Sequence, residues 1–270
     1  MFPVWRDATA RVSNVKHALL AHLTETYGHA VEPMDVMAYI AALLAHPAFT
    51  ARFREDLRQP GLRVPLTADP ALFDRAVDLG REVIWLHTYG ERCADPAAGR
   101  PASPPRIQEG QRPTIPAAGT IPGAPEPLPA EMRYDAENRR LHIGGGFVEN
   151  VTPESAAYEV SGKNVLRQWF SYRRSDRTRP VIGDRRPPSP LDRIQPDHWL
   201  PEYTEDLLNL LHVLGRLVAL ETRQEALLDE ICRSDLIAQD ELEAAGALVG
   251  EQPSPVQRVS ADAAVGDLFN

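Results

Sequence analysis

Apolar residues recur three and four positions apart through the first third of the chain, the period of helices that bury one face. The spacing predicts helices over residues 14–29 and 35–59, the second carrying Val36, Tyr39, Ile40, Leu43 and Leu44, then Phe49, Phe53 and Leu57. Pro33 suits a first helical turn, whereas Pro47 lacks the amide proton an interior position needs and breaks or bends the helix. Gln59-Pro60-Gly61 is a stop, and Thr67 or Asp69 caps a third helix over about 70–89, with Leu72, Phe73, Val77, Val83 and Leu86 on its apolar side.

From Cys93 to Pro129 the periodicity lapses into ten prolines with few large apolar residues, a composition that reads as an extended linker or surface strap. A β-meander follows, with strands over 132–134, 140–143 and 147–151 and turns at 135–138 and 144–146. One helical turn is expected at 153–157 and a strand at 158–160, ended by Ser161-Gly162. Helical spacing of Val165, Leu166, Trp169 and Phe170 then spans 163 to about 174, and places Lys163, Arg167 and Arg174 on one side. Prolines dominate 180–201. The stretch 202–220 is apolar nearly all round and predicts a deeply buried helix, with a second helix over 223–232 and a loose tail after Leu248.

The class is therefore α+β: an N-terminal helical segment (1–92), a Pro-rich linker (93–130), and a region (131–234) in which a small antiparallel β-meander packs with C-terminal helices, followed by an acidic tail (235–270).

Charge sharpens this picture. The net charge is −9, but it divides into −1 over 1–130, +2 over 131–200 and −10 over 201–270. The middle third thus holds a basic block in an acidic chain. Trp169, Phe170 and Tyr172 are interleaved with its arginines, and guanidinium forks suit phosphate oxygens and the guanine edge. The competing reading is a solvated loop whose arginines pair with the acidic C-terminal helices.

Other chemistry is thin. Cys93 and Cys232 fit no metal spacing and suit a reducing cytoplasm. No apolar run reaches the length of a membrane span, which points to a soluble cytoplasmic protein without a membrane partner. Gly144-Gly145-Gly146 lacks the residues of a phosphate loop and reads as a turn. The eight histidines are scattered, and Asp74, Asp78 and Glu82 read as a solvated helix face.

Five stretches, taken together and in order, resemble one family. They are YIAALLAHPAFTARFREDL, RVPLTADPALFDRAVDLGREVIWLHTY, MRYDAENRRLHIGG, YEVSGKNVLRQWFSYRR and SPLDRIQPDHWLPEYTEDLLNLLHVLGRLVALE. Each string is loose, but the combination is similar to the C-terminal specificity domain of type ISP restriction–modification enzymes. The resemblance implies a region that follows an S-adenosylmethionine-dependent adenine methyltransferase and recognises target DNA, with 1–92 as the helical connector. The glycine-rich cofactor motif and the Asn-Pro-Pro-Tyr/Phe base pocket of that methyltransferase are absent from the sequence.

The expectation is a non-catalytic target-recognition module without a cofactor, partnered by double-stranded DNA and by a separate methyltransferase or restriction subunit. The alternative is a docking subunit or truncated remnant with no DNA affinity of its own. Charge and position nominate Lys163, Arg167, Arg173, Arg174, Arg177, Arg179, Arg185 and Arg186 as DNA contacts.

Overall fold

A computed structural model describes residues 3–7, 9–59, 61, 63–175 and 196–248. The N-terminal helices are α1 (His17–Tyr27), α2 (Pro33–Leu44), α3 (Pro47–Arg52) and α4 (Pro70–His87). Three of them open on a proline at the first turn, where its missing amide proton goes unused. Pro47 divides the predicted 35–59 helix into α2 and α3. Asp69 caps α4 by accepting the Ala71 and Leu72 amides at 2.8 and 3.3 Å, while Glu32 and Asp35 form a reciprocal box at the start of α2. α2 and α4 approach so closely that Gly80 lies against the Ala38 carbonyl.

A three-stranded antiparallel meander follows: β1 (Met132–Asp135), β2 (Arg140–Ile143) and β3 (Gly146–Val148), with Arg133 opposite His142 and Leu141 opposite Val148. A helical turn, α5 (Pro153–Ala157), leads to the two-residue strands β4 (Glu159–Val160) and β5 (Lys163–Asn164). Ser161 and Gly162 join them with φ of 52° and 73°, the pair of positive values that a tight two-residue hairpin requires. α6 (Val165–Ser171) is shorter than the predicted 163–174 helix because Asn164, accepting the Arg167 amide at 2.9 Å, caps it after the hairpin.

The two helices predicted over 202–220 and 223–232 are one: α7 (Pro201–Arg233) runs for 33 residues, about 50 Å. Nothing between them breaks a helix, and polar residues flanking the join are engaged by distant parts of the chain. Gln224 is buried and donates to the Ala42 carbonyl at 2.8 Å, and Arg216 and Arg223 both reach Glu82. α8 (Gln239–Ala244) follows.

α7 is the spine of the molecule because it feeds two hydrophobic cores. Leu207, Leu210, Leu211 and Leu214 join Leu141, Ile143, Val148 and Leu166 in one. Leu217, Leu220, Leu228 and Ile231 join Leu43, Phe73, Trp85 and Leu86 in the other. Its near-complete apolar circumference is thus used within the chain.

The Pro-rich stretch 93–130 lies along both cores. Trp85 Nε1 donates to the Pro101 carbonyl at 2.9 Å, the Ile107 amide donates to His212 Nδ1 at 3.1 Å, Thr114 bridges to Glu149, and Ile121 and Leu128 are buried in the second core. Few large apolar residues suffice because the strap borrows the surface of α7 and the meander. Residues 235–248, within the predicted acidic tail, return to the first core. Ile237 is buried there, and its amide donates to the Leu66 carbonyl at 2.9 Å. The tail beyond Leu248 lies outside the described residues. Among the described residues no helix is long and apolar enough to cross a membrane.

Candidate nucleic-acid interface

α6 is amphipathic on a small scale. Leu166 and Phe170 are buried in the second core, whereas Arg167, Gln168, Ser171 and Tyr172 share an exposed arc of about 140°. The helix is braced from behind. Asn164 Nδ2 donates to the Ala156 carbonyl of α5 at 2.8 Å, and Trp169 meets Trp199 edge-on at 6.1 Å between ring centres. On the exposed arc, Gln168 Nε2 donates to the Tyr172 hydroxyl at 2.9 Å.

A groove runs between β1 and α6. It consists of two adjoining depressions of about 520 and 510 Å³, and Arg133 and Arg167 line both. Arg174 joins them in the second depression, while Met132 and Leu166 contribute apolar floor to the first. The carboxylates on its rim are Glu159 in the first and Glu131 in the second. Three arginines therefore line one channel, against two carboxylates, so that its local sign opposes that of the whole chain. Among the described residues no group of three or more His, Cys, Asp or Glu side chains is placed to hold a metal ion.

Residues 1–210 match the family described as the Type ISP C-terminal specificity domain. The chain belongs to that family. Its place is thus in target recognition within a restriction–modification system. No curated protein matches this specificity domain. Among solved structures it is similar to a cryo-EM structure of a DrdV–DNA complex, with a TM-score of 0.52 and 16% identity over 84% of this chain and 21% of that one. At that identity the likeness is one of fold, and the chain spans about a fifth of the DrdV chain's length.

The predicted contact residues of the specificity domain divide by position. Lys163 is exposed on β5, Arg167 is exposed on α6, and Arg174 lines the groove. The shared helical side expected of these three does not exist, since α6 covers only Val165–Ser171. The bend after Ser171, not a heptad, brings Arg174 to the groove of Arg167.

Arg173 turns inward. Its guanidinium carbon lies 4.2 Å from the Trp169 ring centre and 5.3 Å from that of Tyr203, Nη1 donates to the Trp169 carbonyl at 3.1 Å, and Nη2 meets Asp206 Oδ2 at 3.4 Å. It clamps α6 onto α7, as the internal-pairing alternative anticipated for part of the block. Arg177, Arg179, Arg185 and Arg186 lie outside the described residues.

Sequence reasoning missed Arg133. It sits on a strand, outside the basic block, and its one signal is alternation. It is an exposed position between the half-buried Met132 and Tyr134. Neighbouring Arg140 is engaged internally, bonded to Glu149 at 2.6 Å and stacked over Phe147 at 4.5 Å.

Proposed function

We propose that this specificity domain recognises duplex DNA for a restriction–modification enzyme, with the β1–α6 groove as the surface that meets the phosphate backbone. The observation that carries the reading is the convergence of Arg133, Arg167 and Arg174 on one channel beside an exposed helical arc. Arginines fix register on phosphates while a rigid element is presented to the base edges. Lys163, on the hairpin that feeds α6, adds charge beside it. Arg173 serves the interface indirectly, by holding α6 in place. A methyltransferase partner, on a separate subunit or on the same polypeptide, carries the chemistry, and the protein acts in the cytoplasm.

The docking alternative draws on two surfaces that a missing domain could leave exposed, the helical segment 35–89 and the all-round apolar helix 202–220. α7 spends its apolar circumference on two internal cores, so the support from 202–220 falls away.

The test is fluorescence anisotropy with labelled duplex DNA across a salt series, on wild type and on the triple variant Arg133→Ala, Arg167→Ala, Arg174→Ala. Each lost phosphate contact removes about 0.9 from the slope of log affinity against log salt, so the triple variant is expected to lose roughly 2.7. At about 1 kcal/mol per exposed contact, binding at low salt weakens about a hundred-fold. An unchanged slope would remove this groove from the interface. Arg173→Ala, in contrast, is expected to lower the melting temperature, because it releases the α6–α7 clamp.

A further inference from the structure

We propose that Gln168, held in place by Tyr172, reads one adenine in the major groove. The inference rests on the proposed DNA contact and adds to it the residue that selects a base.

The exposed arc of α6 carries both kinds of side chain that a reading helix needs. Arg167, which lines the groove, is a phosphate anchor, and Gln168 follows it in sequence on the same exposed arc. A major groove about 12 Å wide admits a helix about 10–12 Å across. α6 is also fixed from behind by the Asn164–Ala156 bond and the Arg173 clamp, so its exposed side chains are offered from a rigid base.

The amide of Gln168 is the specific element. Its Nε2 gives one N–H to the Tyr172 hydroxyl at 2.9 Å. That leaves a second N–H and the Oε1 acceptor side by side. Adenine shows the complement in the major groove, an N7 acceptor beside an N6 amino donor, and a glutamine amide can satisfy both at once. Guanine presents two acceptors there, which Oε1 would repel.

Tyr172 explains itself on the same terms. It is 64% exposed, so burial does not account for an aromatic at this position. Its hydroxyl restrains a side chain that would otherwise lose rotamer freedom on binding, which makes it a positioning residue.

The experiment is selection of bound sequences from a random duplex pool by the full chain and by Gln168→Ala, Gln168→Glu and Tyr172→Phe. Wild type is expected to enrich a motif containing an A·T pair favoured roughly ten- to a hundred-fold over the other pairs at that position. Gln168→Ala brings that one position close to parity and keeps the others. Gln168→Glu moves the preference to cytosine, whose N4 amino group donates to a carboxylate. Tyr172→Phe keeps the same motif with weaker discrimination at the same position.

A Gln168→Ala motif identical to wild type, or a uniform loss of affinity across the pool, would overturn the assignment while leaving the groove reading intact. If wild type itself enriches no motif, sequence reading by this surface fails, and the role of Gln168 fails with it.

Discussion

Lowering the pH from about 7 to about 4 is expected to strip the protein of several kcal/mol of folding stability, chiefly through two buried histidines. His46 is 5% exposed and His212 6% exposed. Burial drives both down from the ordinary 6.5 to about 4, and at His212 the nearby Arg106 and Arg112 add to the effect. At His46 only the Leu43 backbone opposes the effect of burial, and neither ring nitrogen makes a well-formed hydrogen bond among the described residues. His212 Nδ1 accepts the Ile107 amide, which only a neutral ring can do.

The sign follows from proton uptake. The unfolded chain binds these protons near 6.5, whereas the folded chain resists them until about 4. The contribution is complete above the unfolded value, falls as the pH drops through that window, and levels off below the folded value. Each pH unit of the gap corresponds to about 1.4 kcal/mol, so each histidine contributes on the order of 3 kcal/mol.

Urea titrations across this range measure the effect. The double variant His46→Leu, His212→Asn is expected to flatten the profile, since leucine carries no titrating group and the asparagine oxygen takes over the Ile107 amide. A wild-type midpoint that stays constant down to about pH 4.5 would mean that both rings take up protons in the fold at no cost.

The second large effect concerns Gly80. Alanine favours a helix over glycine by about 1 kcal/mol, so Gly80→Ala looks benign from sequence. In the fold its Cβ would stand 1.7 Å from the Ala38 carbonyl oxygen and 2.4 Å from its carbon. Both belong to the backbone of α2, so relief requires α2 to move off α4 and open the core around Leu43 and Phe73. The expected loss is about 3 kcal/mol or more, a fall in melting temperature of roughly 10 °C.

Gly215→Ala is the matched control on α7. Its Cβ would meet Ile107 Cδ1 at 2.6 Å, the far end of a side chain that can rotate away, and a cost within about 1 kcal/mol is expected. Scanning calorimetry separates the two. Equal melting of Gly80→Ala and wild type would show that α2 and α4 do not meet as closely as described.

Local chemistry made much of the architecture legible. Pro33 and Pro70 are legible as helix starts and Pro47 as a break, because the missing amide proton and fixed φ act within one turn. In the fold the break at Pro47 opens α3. The meander is readable because alternation at Met132–Asp135 and Arg140–Ile143 is interrupted by Asp135, whose carboxylate turns the chain by accepting the amides of Glu137 and Asn138. The family was also legible, since its five stretches occur in order.

What misled the reading was long-range. The sequence divides α7 into helices over 202–220 and 223–232, yet Gln224 has its partner at Ala42, 182 residues away, and Glu82 answers Arg216 and Arg223 from α4.

By itself the sequence determined the helix and strand periods, the capping and turn positions, the family, and the presence of a basic block. All of these depend on interactions within a few residues or on order along the chain. Only the tertiary structure decided which arginines face outward. Arg173 sits within the basic block and is drawn inward by Trp169, Tyr203 and Asp206, while Arg133, on a strand apart from the block, is brought to the groove of Arg167. Charge can be read along a chain, but whether a charge is available depends on which distant side chains the packing places around it.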